Sequence, residues 1–248
     1  MKIGIIGGSG LDDPDILENS QQIEVETRYG KPSSALVTGT IGGVDTVILA
    51  RHGRQHQFSP TQVNNRANIM ALKNAGVSHI LATTACGSLK KEIDRGDLVI
   101  LNQFIDFTRF RKNTFADSFE AGVVHTPMAH PFDKELRNKF LTMANELDLK
   151  VHPSGCVVTI EGPRFSTIAE SKMFKMWGAD VINMSTAPEA MLANEANIPY
   201  AAVAMSTDYD CWKEDELPVS WEDILDVFNK NANNVEQLLV KVIAHCKV

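Results

Sequence analysis

Cysteine is scarce. Cys86, Cys156, Cys211 and Cys246 are the only ones in 248 residues, widely spaced and without a Cys-x-x-Cys pair. That spacing excludes a disulfide framework and a structural zinc site. Aromatic residues reach only 7% of the chain. Basic residues are outnumbered, 24 Lys and Arg against 31 Asp and Glu, for a formal net charge of −7. A general nucleic-acid or membrane-surface binder needs a basic face, so both classes are set aside. Long apolar runs are missing too. Blocks such as Val47-Ile48-Leu49-Ala50 are too short for a bilayer-spanning helix. Met1-Lys2 enters Ile3-Gly4-Ile5-Ile6 and then glycines, too short an apolar stretch for a secretory signal. The expectation is a soluble, cytosolic protein.

What is present is ordinary globular composition, 44% apolar and 22% charged. Short β-branched runs predict strands at 3–6, 35–38, 44–50, 79–84, 97–101, 156–160, 181–183 and 200–204. Several are apolar at consecutive positions, as strands covered on both faces are. Helical spacing predicts helices near 60–75, 133–148, 167–177, 187–196 and 221–245. The alternation points to an α/β fold with a mixed central sheet and flanking helices. No linker, charge block or repeat divides the chain, so one domain over 1–248 is expected. Three helix starts fit the capping box, a hydroxyl residue followed three later by Glu or Gln: Ser59/Gln62, Thr167/Glu170 and Thr186/Glu189. Each lies just after a short polar segment. Loops between strand ends and helices are the usual binding positions in α/β sheets.

Those polar segments are where the chemistry lies. Gly7-Gly8-Ser9-Gly10 follows the first predicted strand, where glycines admit an anion and Ser9 adds a donor. Asp13 stands where the dinucleotide fingerprint needs glycine, and no Gly-Lys-Ser/Thr follows for a P-loop. A phosphate loop and a plain tight turn are both open. In Arg51-His52-Gly53-Arg54-Gln55-His56 the two histidines have i, i+4 spacing, but Gly53 opposes a helix and the metalloprotease Glu is missing. Guanidinium offers a planar fork to phosphate, so anion binding is favoured there. Thr83-Thr84-Ala85-Cys86-Gly87-Ser88 offers small donors for an anion, with a polar strand end and a thiol nucleophile as alternatives. Glu161-Gly162-Pro163-Arg164-Phe165-Ser166 reads equally as an internal ion pair or as a stacking face at Phe165. Asp208 and Asp210 read as a cap, acid–base groups or, last, metal ligands.

Together these segments resemble the methylthioadenosine phosphorylase branch of the purine nucleoside phosphorylases. Gly178–Ser185 and Thr207–Glu214 complete the resemblance, which runs in order over nearly the whole chain. It implies a phosphate site at Ser9, Arg51, His52, Thr84, Ala85 and Ser185. It implies Met184 at the ribose, Phe165 and Ser166 beside the purine, and Asp208 and Asp210 on the purine edge. His125 matches a position that reaches the 5′ group of a nucleoside held by a neighbouring subunit. Trp221 stands near that 5′ group, where the family pattern has a smaller aliphatic residue, so the preferred 5′ substituent is left open. The family is trimeric, with no metal or organic cofactor; inorganic phosphate is a co-substrate.

The residue inventory suits that chemistry. Phosphate is already anionic at neutral pH and needs positioning and donors rather than a base. The departing purine needs help at N7, the role expected of Asp208. Three competing expectations stand beside it: a phosphorylase of 6-oxopurine nucleosides, a nucleoside hydrolase, and a non-enzymatic nucleotide-binding regulator.

Overall fold

The computed structural model describes residues 1–8, 14–120, 122, 123, 125–215 and 220–246; of Pro14 and Trp221 it describes the backbone alone. The strands are β1 (Lys2–Gly7), β2 (Glu18–Ile23), β3 (Leu36–Ile41), β4 (Val44–Ala50), β5 (His79–Ser88), β6 (Leu98–Phe107), β7 (Val151–Ile160), β8 (Val181–Asn183) and β9 (Tyr200–Asp208). The helices are α1 (Asn65–Asn74), α2 (Lys134–Glu146), α3 (Ile168–Met176), α4 (Thr186–Glu195) and α5 (Trp221–Ala244). Among the described residues the strands form one mixed sheet, in the order β2-β3-β4-β1-β5-β8-β7-β6-β9. An additional β5–β9 pairing bends its second half back on itself. The five strands β5, β8, β7, β6 and β9 therefore close into a ring, and β5 belongs to both halves.

Alternation along the strands divides the core into two faces. Ile3 and Ile5 of β1 join Phe140 of α2 and Phe228 and Leu238 of α5. Ile6 points the other way, toward Ile69 and Leu72 of α1 and Leu192 of α4. Burial of each such side chain contributes about 1.5–3 kcal/mol. β9 is buried along its whole length, which explains its unbroken apolar run.

The predicted elements are present, with differences that have physical causes. β2 was not expected, because Glu18–Ile23 is exposed throughout and has no core face to impose a pattern. It pairs only with β3, at the sheet edge. β5, β6, β7 and β9 outrun their apolar cores, since backbone pairing continues where side chains turn polar. The helix expected over 60–75 is broken into a 3-10 turn at Pro60–Gln62 and α1, with the Asn64 side chain accepting from the Ala67 N–H at 3.1 Å. The capping box at Thr167 is present: its hydroxyl accepts from the Glu170 N–H at 3.2 Å, and Glu170 accepts from the Thr167 N–H at 2.8 Å. Ser59 and Gln62 close a box on the 3-10 turn. The third expected box is absent. Thr186 lies inside α4, Ser185 is the N-cap, and Glu189 turns into the core.

Candidate active site

The ends of β4, β5, β8 and β9 open onto one cavity of about 500 Å³. Arg51, His52, Thr84, Ala85, Ser185, Phe165, Ser166, Met184, Asp208 and Asp210 all line it. They come from five segments far apart in sequence, 51–52, 84–85, 165–166, 184–185 and 208–210, and are the positions that the resemblance implied. His125 is not on this lining; it is exposed, with its ring edge-on to Phe119 at 5.7 Å. Ser9 falls outside the described residues, as does the Trp221 side chain, although α5 reaches the cavity through Ile224.

Arg51 follows β4 directly and is buried. Its Nε and Nη2 donate to the two carboxylate oxygens of Glu189, at 2.5 and 3.0 Å. Its Nη1 donates to the Thr83 carbonyl at 2.8 Å. The Tyr200 hydroxyl donates to the same carboxylate at 2.9 Å. Glu189 therefore holds a guanidinium at the cavity wall rather than capping a helix. Sequence reading missed this because capping requires only a spacing, whereas an ion pair requires the fold. Gly8 makes room for it: a Cβ there would lie 2.9 Å from Arg51 Nη1.

His52 donates from Nδ1 to the Phe58 carbonyl at 2.9 Å, because that carbonyl can only accept. Nε2 is then the acceptor nitrogen. Burial, with Arg51 alongside, lowers the His52 pKa to about 4. The ring is neutral at neutral pH. Arg54, its companion in the motif, is exposed and does not line the cavity.

Asn183, at the end of β8, organises the neighbouring hydroxyls. Its amide nitrogen donates to Thr84 Oγ1 at 3.2 Å, and its oxygen accepts from Thr159 at 2.8 Å. Thr84 and Ser185 hydroxyls lie 3.2 Å apart. Cys86 is buried beside them, and burial pushes its thiol well above the usual range, with Asp208 adding to the effect. A thiol held protonated is a poor nucleophile, which removes that alternative.

Asp208 ends β9 and lines the same cavity. Its two oxygens accept from the Thr207 hydroxyl and the Asp210 N–H, each at 2.8 Å. A bulge in the β5–β9 pairing brings Gly87 opposite Asp208, where a Cβ would lie 2.8 Å from Asp208 Oδ1. Burial raises the Asp210 carboxyl above its ordinary range, with the Ser171 and Ser166 hydroxyls pulling it back and Asp208 pushing it further. Phe165 shows 44% of its surface, a large exposure for a ring on a cavity wall.

Arg111 was not singled out in the sequence. It donates to Glu161 from Nε at 2.8 Å and to the Met184 carbonyl from Nη1 at 3.0 Å. Glu161 also accepts from the Thr61 hydroxyl and the N–H groups of Arg109 and Phe110. Burial alone would raise the Glu161 pKa, but these donors bring it down to about 2. Glu161 and Arg164 do not pair with each other, as an internal ion pair would require; Arg164 pairs with Glu170 at 2.7 Å. Among the described residues no cluster of three or more His, Cys, Asp or Glu could hold a metal. No helix among them is long and apolar enough to cross a membrane.

Hydroxyls, a held guanidinium and two neighbouring carboxylates line one cavity on a mixed sheet closed at one side. This is an α/β fold of the nucleoside-phosphorylase type. The model of the phosphorylase superfamily matches residues 2–244, and the chain belongs to that family. The chain is 57% identical to the S-methyl-5′-thioadenosine phosphorylase of Xenopus tropicalis, covering 98% of this chain and 88% of that one. The enzyme of the same name from Danio rerio is 55% identical, with the same coverage. Methylthioadenosine phosphorylase from Schistosoma mansoni in complex with adenine superposes with a TM-score of 0.94 at 43% identity, covering 99% of this chain and 91% of that one.

Proposed function

We propose that this protein cleaves 5′-methylthioadenosine with inorganic phosphate, releasing adenine and 5-methylthioribose-1-phosphate. The observation that carries the reading is one cavity lined both by anion donors, Arg51, Thr84 and Ser185, and by the carboxylates Asp208 and Asp210. Relatives at 57% and 55% identity carry the matching name. A Schistosoma mansoni variant solved with methylthioadenosine superposes at a TM-score of 0.93.

Phosphate occupies the end formed by Arg51, His52, Thr84, Ala85 and Ser185, with Ser9 from the glycine loop. A phosphate oxygen bonds to C1′ as the C1′–N9 bond breaks, and the bond's electron pair passes into the purine. Monohydrogen phosphate carries one proton that the sugar phosphate product does not keep, and the released adenine takes one up. The His52 Nε2 acceptor suits the phosphate hydroxyl, and Asp208 stabilises the proton arriving at N7. Asp210 faces the 6-position, Phe165 and Ser166 flank the base, and Met184 backs the ribose. The reaction needs no organic cofactor or metal, and the protein works as one unit over 1–248 in the cytosol.

We infer a homotrimer in which His125 completes the 5′ pocket of a neighbouring subunit, with Trp221 standing near that pocket. Phe110, Phe119 and Val123 are 75%, 53% and 68% exposed on the segment that leads to His125, which supports burial of this segment against a neighbour. Light scattering at assay concentration checks this; a fully active monomer contradicts it.

A second reading, phosphorolysis of 6-oxopurine nucleosides, is favoured by the raised Asp210 carboxyl. A protonated acid there would donate to a 6-oxo group. The deciding experiment is a panel of methylthioadenosine, adenosine, methylthioinosine and inosine, with and without phosphate, reading free base. Release of adenine that requires phosphate is expected. Equal cleavage without phosphate identifies a hydrolase, and preference for methylthioinosine identifies the second reading.

A further inference from the structure

Tyr209 lies between the two carboxylates of the purine end, and it faces away from the cavity that they line. It is buried, and its hydroxyl donates to Asp94 Oδ1 at 2.5 Å. The other Asp94 oxygen accepts from Lys150 Nζ at 2.8 Å. Behind it, the Asp94 N–H donates to Asp97 Oδ2 at 2.9 Å, and His152 Nε2 lies 2.8 Å from the same oxygen. The turn is tied to β9 by two backbone bonds, Gly96 N–H to the Ser206 carbonyl at 2.7 Å and Ser206 N–H to the Asp97 carbonyl at 2.9 Å. Lys213 stands 4.0 Å from the Tyr209 ring centroid.

The front of the segment has an unusual backbone. Asp210 has a φ of +47°, the left-handed region that a residue with a side chain enters only at a cost. That conformation aims its N–H at Asp208 Oδ1 and brings both carboxylates to one side. We propose that Tyr209 and Asp94 are positioning residues for base recognition, fixing from behind the strand end where Asp208 and Asp210 meet the purine. The Asp94 turn and the purine edge are then one mechanical unit. The proposal rests on the phosphorylase reading, which the wild-type protein assayed with and without phosphate decides on its own.

The test is Tyr209→Phe, which keeps the ring and its cation contacts and removes only the hydroxyl. Misplacement of a catalytic pair by a fraction of an ångström lowers kcat/KM for methylthioadenosine by about tenfold or more. The KM for phosphate stays within about twofold of wild type, because the phosphate groups hang on other strands. The ratio of kcat/KM for 6-amino over 6-oxo nucleosides narrows, and calorimetric affinity for adenine falls in parallel. Asp94→Asn retains an acceptor for the hydroxyl and stays near wild type, whereas Asp94→Leu reproduces the Tyr209→Phe defect. If Tyr209→Phe does not fold, the two Asp94 variants decide the matter. Unchanged nucleoside kinetics in folded Tyr209→Phe overturns the proposal. So does a loss that falls equally on phosphate and nucleoside, or Asp94→Asn and Asp94→Leu that behave alike. Adenine binding reads the anchor even if turnover follows another reaction, so failure of the anchor and failure of the phosphorylase reading remain distinct.

Discussion

At the phosphate end of the cavity, Arg51 is held by a carboxylate, a carbonyl and, through Glu189, a buried tyrosine hydroxyl. Thr84 and Ser185 are held by Asn183 and by each other's hydroxyls. At the purine end, Asp208 accepts from the Thr207 hydroxyl and the Asp210 N–H beside a bulge, Asp210 is left-handed, and the Tyr209 between them is anchored to Asp94. The first end is tied into buried polar groups of the core, so its chemistry and its stability are the same set of bonds. The second is hung from a strand terminus, so its chemistry can be altered while the core stays intact. Substitutions at the two ends should therefore fail in different ways.

The largest effect is expected from Arg51→Ala. It removes a phosphate donor and leaves the Glu189 carboxylate buried without its cation. Breaking one side of a buried pair costs about 3–5 kcal/mol, so the urea midpoint should fall together with activity. A variant that loses phosphate affinity but keeps full stability would show that the Glu189 pair is not structural. Asp208→Asn should behave oppositely. Asn keeps an oxygen for the Asp210 N–H, and the Thr207 hydroxyl can turn to accept, so the fold is retained. Turnover should drop by roughly 10²–10⁴, the range of a general acid. A comparable loss of stability would erase the contrast between the two ends.

A smaller, more selective change is expected from Asp210→Asn. Its kcat/KM ratio should move toward inosine-type substrates by about tenfold, because an amide can donate to a 6-oxo group where a carboxylate repels it. Stopped assays on methylthioadenosine and methylthioinosine give the ratio directly. An unchanged ratio would take Asp210 off the 6-position.

The smallest effect is a pH dependence of stability. His52 has a pKa of about 4 in the folded chain against 6.5 in its reference state. Between those values the unfolded chain binds the extra proton, so stability falls as pH drops from 6.5 toward 4 and is unaffected above that window. His52→Asn, which can still donate to the Phe58 carbonyl, should make that fall shallower in urea melts at pH 4.5 and 7. Equal slopes would mean that the ring titrates in the folded state as it does in the unfolded one.

Strand and helix order was legible because burial imposes a period on the sequence, as in Val44–Ala50, which coincides with β4. The same logic explains the miss at β2, whose exposed residues carry no period. The site segments were legible as polar groups stranded next to apolar runs, and Arg51, Thr84, Ser185 and Asp208 line one cavity. Their partners were not legible. Glu189 had the spacing of a cap, Arg111 had no motif, and Tyr209 and Asp94 lie 115 positions apart. Local sequence determined which residues are polar at strand ends, because hydrophobic burial is written in nearest-neighbour periodicity. Only the tertiary structure decided which charges and hydroxyls hold them, because a hydrogen bond depends on distance in space and carries no signature along the chain.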